Sequence, residues 1–141
     1  MARVPVIRIG DVLVATAHEG LRDADALALQ SDLHQALERT GARGVLIDVS
    51  GVETVDSFLG RMLSEIAAGA RLLGAHTVVA GMQPPVAITL VELGLELKGI
   101  HTTLTPEKGM ALLHRLIAGD DRPQPIEQLT PAGASRARRI A

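Results

Sequence analysis

The chain contains no cysteine, tryptophan or tyrosine, and its one phenylalanine is Phe58. Without thiols there is no disulfide, no thiolate nucleophile and no cysteine-ligated metal, a composition suited to a reducing compartment. A single ring cannot build the aromatic platforms on which single-strand and RNA readers stack bases. Strong charge of one sign is also missing. The formal net charge is −2, so nothing global draws the chain to a phosphate backbone. No apolar run reaches the ~18 residues of a membrane span, and Met1-Ala2-Arg3-Val4-Pro5 lacks the apolar core of a signal peptide. These absences predict a soluble, cytoplasmic protein that binds neither nucleic acid nor membrane.

The sequence signatures of catalysis are absent too. There is no G-x-x-x-x-G-K-[ST], no G-x-G-x-x-G after a strand and no G-x-S-x-G around a serine. His18, His34, His76, His101 and His114 fall in different segments and form no H-x-x-x-H or H-E-x-x-H pair, so no metal is expected. His76 lies beyond the helix that Ser57 opens, which leaves that serine without a local base. Asp48 and Asp56 read as a strand end and a turn residue rather than as a catalytic pair. The expectation is a non-enzymatic interaction protein with no cofactor.

What is present is a core. With 47% hydrophobic residues in 141, one domain can fold without staples. Val4 to Ile9 and Val12 to Thr16 are β-rich runs around Gly10-Asp11, a hairpin signal, with Pro5 holding the first run at an edge. Asp23 to Arg39 carries Ala26, Leu29, Leu33, Ala36 and Leu37 at helical spacing, and Gly41 stops it. Gly44 to Val49 reads as an internal strand, apolar on both faces up to Asp48. Ser57 to Leu73 is the clearest helix, followed by a strand at Thr77 to Ala80. A short helix begins at Pro84-Pro85, an edge strand spans Ile100 to Leu104, and Thr105-Pro106 opens a last helix through Ile117. The order β-β-α-β-α-β-α-β-α predicts an α/β fold with a mixed, mostly parallel sheet of about five strands, four helices and an N-terminal hairpin. The pattern fades after Ala118. Residues 1–118 are expected to form the domain, and 119–141, with three prolines and the cluster Arg136, Arg138 and Arg139, a partly basic tail with a short helix near its end.

Two segments suggest function. In Ile47-Asp48-Val49-Ser50-Gly51-Val52-Glu53-Thr54-Val55-Asp56-Ser57-Phe58 a strand enters a polar turn, and a serine stands where a helix begins. A hydroxyl there lies near free N–H groups and the positive end of the macrodipole, a place that tolerates an added anion. Ser57 therefore reads either as a simple N-cap or as an acceptor for phosphate. The helix from Pro84 to Leu93 is apolar on nearly every side, leaving only Thr89 and Glu92 polar. One stripe suffices to pack on a sheet, so the remainder reads as a self-association surface or a crowded corner of the domain. Thr89 is expected to bond back to a helix carbonyl.

The Asp-Ser pair at the second helix resembles that of the STAS domains, the fold of bacterial anti-anti-sigma factors. Asp48 to Val52, Val55 to Phe58, Leu72-Leu73-Gly74-Ala75 and Ala80 to Gly94 are similar to the stressosome scaffolds of the RsbS and RsbR types, over residues 4 to 118. No N-terminal sensory domain of the co-scaffold type is expected, which favours the single-domain RsbS-like group. This resemblance implies a scaffold that sequesters an RsbT-like serine kinase of the anti-sigma-factor type. Phosphorylation of Ser57 would release the kinase, and an RsbX-like phosphatase would reset the site. It further implies an RsbR-like co-scaffold, self-association into dimers and larger particles, and a docking surface that includes Asp56, Ser57 and Phe58. Thr89 matches a second phosphorylated threonine of the co-scaffold and is expected to be minor here. Two other readings stand beside this one: a simple dimeric anti-anti-sigma factor, and a STAS module that binds a small anion or nucleotide.

Overall fold

Gly10-Asp11 turns the first two apolar runs back on each other, and the sheet grows outward from that hairpin. In the computed structural model, which describes residues 4–120, β1 (Ile7–Ile9) pairs antiparallel with β2 (Val12–His18). There follow α1 (Asp23–Thr40), β3 (Gly44–Gly51), α2 (Ser57–Leu72), β4 (His76–Ala80), α3 (Pro84–Glu92), β5 (Ile100–Thr103) and α4 (Pro106–Asp120). The strand order is β1-β2-β3-β4-β5, parallel from β2 onward, as the alternation of elements predicts.

Because the parallel strands follow chain order without reversal, successive crossovers of one hand keep α1, α2 and α3 on one face. Leu29 and Leu33, Leu63 and Ile66, and Val86 and Leu90 from these three helices meet Val45, Ile47 and Val79 of the sheet in the main core. Helix α4 lies on the other face, where Leu113 and Ile117 cover Val12, Leu46, Val78 and Ala80. The apolar stretch of β3 thus feeds both layers, Val45 and Ile47 one way and Leu46 the other. The face of α1 read from its spacing is the buried one, residue for residue, and Gly41 ends it at φ 70 with its N–H on the Leu37 carbonyl at 2.9 Å.

Several boundaries differ from expectation by one or two residues, β2 and β3 running on to His18 and Gly51, and three differences bear on the edges of the fold. β1 starts at Ile7, because Pro5 cannot donate to a ladder, although Val4 is still buried. β5 ends at Thr103 and leaves Leu104 exposed. Helix α4 continues past Ala118 to Asp120, whose Oδ2 accepts a hydrogen bond from His76 Nε2 at 2.6 Å and lies 3.7 Å from the Arg43 guanidinium. That anchor ties the helix end to the start of β4. The rest of the expected tail lies outside the described residues. Among the described residues no helix is long and apolar enough to cross a membrane.

Candidate functional site at the start of helix α2

A parallel sheet places the carboxyl ends of its strands, and the starts of the helices that follow them, at one edge. Ser57 stands on that edge. Asp56 is extended at φ −117 and ψ 178, and its Oδ1 accepts the Leu59 N–H at 3.0 Å. The N-cap is therefore Asp56, and the reading of Ser57 as the cap is corrected. An extended aspartate one residue earlier reaches the third N–H of the helix and takes that role. Ser57 is left as the first helical residue, half-buried, and its hydroxyl has no hydrogen-bond partner among the described residues. The first turn of α2 holds no acidic residue. Phe58 is also half-buried and packs on the core with Val55 and Leu59, so its ring is shared between core and surface.

The turn that presents Ser57 is held from outside its own segment. Glu19 Oε1 accepts the Glu53 N–H at 2.9 Å and the Thr54 N–H at 3.1 Å, and Thr54 Oγ1 donates to both carboxylate oxygens. Glu19 carries no local sequence signal. The parallel β2–β3 register sets Thr16 opposite Asp48, an irregularity then sets His18 opposite Gly51, and Glu19 is delivered to a turn more than thirty residues away. The Thr54 and Glu53 N–H groups hold its carboxyl below the usual carboxylate range. Between this anchor and Phe58 lies a depression of about 350 Å³ whose floor includes Ala17, Leu21 and Val52.

Two consequences are measurable. Asp56→Ala removes the cap and is expected to cost about 1 kcal/mol of stability, read by thermal melting, with Asp56→Asn close to wild type. A carboxyl with a depressed folded-state pKa stabilises above its ordinary value and ceases to do so as pH falls through the folded value. Amide-exchange protection at Glu53 and Thr54 is accordingly expected to be intact at neutral pH. It should fall below the ordinary carboxyl value of 4.5 before the core strands exchange. Protection that persists at these two amides until global unfolding would contradict the role given to Glu19.

Comparison with known proteins agrees with the topology. Residues 3–108 match the STAS domain. The chain belongs to the STAS family. RsbS of Moorella thermoacetica, solved as a serine-to-glutamate variant, is 37% identical, covers 83% of this chain and 99% of its own, and superposes with a TM-score of 0.74. A chain from the molecular architecture of the stressosome, a signal integration and transduction hub, is 38% identical over 80% of this chain and 98% of its own, with a TM-score of 0.71. The RsbT co-antagonist protein RsbRA of Bacillus subtilis is 29% identical over 107 residues, 75% of this chain. The chain spans 39% of the length of RsbRA and 30% of that of RsbRC. The similarity places the chain among RsbS- and RsbR-like STAS proteins.

Elsewhere on this STAS domain, Asp48 accepts the Ser50 N–H and hydroxyl at 2.9 and 2.6 Å within the last residues of β3. Gln83 Nε2 donates to the Ser50 carbonyl at 2.7 Å and ties the start of α3 to the same edge. Gly60 allows α2 to approach α3, since a Cβ there would stand 2.5 Å from Leu95 Cδ1 and 2.9 Å from Leu90 Cδ2. Thr89 is half-buried and its hydroxyl donates to the Pro85 carbonyl at 2.9 Å, the back-bond expected of a helix threonine. Only Val86 and Leu90 of α3 are buried, whereas Ile88 is 58% and Val91 76% exposed. The crowded-corner reading of α3 fails for this outer stripe.

Proposed function

We propose that this STAS protein is a non-enzymatic, cytoplasmic stressosome scaffold that holds an RsbT-like serine kinase and releases it once Ser57 is phosphorylated. The observation that carries the reading is the uncommitted Ser57 hydroxyl on the first residue of α2, with Asp56 capping the helix in its place. Phosphate at Ser57 adds about −1.5 to −2 charges at pH 7. The helix start tolerates that charge within the subunit. Packed against the kinase, the same group must be desolvated beside Asp56, and docking weakens. The switch thus acts on the interface and spares the fold.

The names of the relatives support the partners. RsbRA is a co-antagonist of RsbT, which fits an RsbR-like co-scaffold here and an RsbT-like kinase as the captive. An RsbX-like phosphatase completes the cycle by resetting Ser57. Asp56, Ser57 and the exposed part of Phe58 form the kinase surface, with Thr89 at most a minor site because its hydroxyl is committed to Pro85. The outer stripe of α3 is assigned to contacts with further STAS subunits. Ile88→Glu or Val91→Glu is expected to preserve circular dichroism while shrinking the particle seen by size-exclusion chromatography with the co-scaffold. A small dimer formed by the wild type under the same conditions would favour a simple anti-anti-sigma factor. Site mapping by mass spectrometry after incubation with the kinase and ATP tests the acceptor: phosphate on Ser57 supports the proposal, and an unmodified Ser57 rejects it.

A further inference from the structure

On the footing that Ser57 is the phosphoacceptor, we infer that Glu19 selects it, by excluding Thr54, the other hydroxyl of the turn that enters α2. Access alone would not make this choice, since Thr54 is exposed and Ser57 only half-buried. Thr54 stands only three residues before Ser57, in the segment a kinase docked at Ser57 is expected to meet.

The two hydroxyls differ in what holds them. Thr54 Oγ1 lies 3.1 Å from Glu19 Oε2 and 3.3 Å from Oε1, and donates its proton to that carboxylate. The Thr54 N–H points at Oε1 from 3.1 Å and the Glu53 N–H from 2.9 Å, so the carboxylate and the turn fix each other. Ser57 has no such bond among the described residues.

Phosphoryl transfer forms a bond from the hydroxyl oxygen to the γ-phosphorus of a nucleoside triphosphate. It breaks the bond to the departing diphosphate and passes the hydroxyl proton to a base on the kinase. At Thr54 the incoming phosphoryl oxygens would meet a carboxylate already in contact with the acceptor oxygen, and like charges at that distance repel. The hydroxyl would also have to give up its bond to Glu19. A proton passed to Glu19 instead would neutralise the group and weaken its hold on both N–H groups. At Ser57 the charge arrives at a helix start that favours it. Glu19 is a positioning residue: it touches no reacting atom of the Ser57 transfer, yet it fixes the turn and closes the competing site.

The test uses the full-length chain, the kinase and ATP, with site-resolved mass spectrometry. Glu19→Gln keeps an acceptor oxygen for the two N–H groups and removes the charge. Wild type is expected to carry phosphate on Ser57, and Glu19→Gln to carry at least tenfold more on Thr54 than wild type does. In a Ser57→Ala background, Glu19 is expected to leave the turn unmodified, and Glu19→Gln to allow phosphate on Thr54 that Thr54→Val abolishes. A thermal melt checks that each variant is folded. Phosphate confined to Ser57 in Glu19→Gln, or wild type modified equally on Thr54, overturns the selection. A wild type unmodified on Ser57 overturns the acceptor reading itself, a separate and recognisable result.

Discussion

Ser57→Ala is expected to melt like wild type, to capture the kinase, and to keep it when ATP is added. The hydroxyl makes no hydrogen bond among the described residues, and Asp56 caps the helix, so its loss removes no structural contact. Retention then follows because nothing remains to carry the phosphate. In the wild type, a coupling of ~3 kcal/mol between phosphate and docking would lower affinity more than a hundredfold. Ser57→Asp should show part of that loss, since a carboxylate brings one charge where phosphate brings nearly two. Pull-down of the kinase before and after ATP separates these cases. Release from Ser57→Ala as complete as from wild type would assign the switch to another residue.

Ile66→Ala is expected to have the opposite profile. Ile66 is fully buried on the inner face of α2, within the core shared with α1 and the sheet. Truncation removes apolar contacts and leaves a cavity, at a cost of about 2–5 kcal/mol. The expected result is a large drop in denaturation midpoint, with Ser57 still phosphorylated at temperatures where the domain is folded. Nine residues apart on the same helix, one side chain is expected to govern stability and the other partner binding. A melting curve for Ile66→Ala that overlays wild type would contradict the packing described for α2.

The fold was legible because its determinants are local. The inner face of α1, the double-sided burial of β3, Thr105 capping α4 and the hairpin at Gly10-Asp11 each follow from neighbours in sequence. The site was legible only in part. The Asp56-Ser57 pair marks the start of α2, but which of the two caps depends on backbone angles set by the turn. Glu19 could not be found from spacing, since its partners lie on the next strand's exit and the parallel register alone brings them together. The resemblance implies Phe58 in the docking surface, and in the structure its half-buried side chain also packs against the core, as Val55 and Leu59 do. The outer stripe of α3 was legible as excess apolarity, and its exposure follows from the sheet accepting only Val86 and Leu90.

Titration calorimetry of the kinase against the full-length protein, before and after stoichiometric phosphorylation, tests the central claim most directly. The account predicts tight binding to the unmodified protein and at least a hundredfold weaker binding to the same protein phosphorylated on Ser57, with an unchanged melting temperature. Equal affinity for the two forms would contradict it.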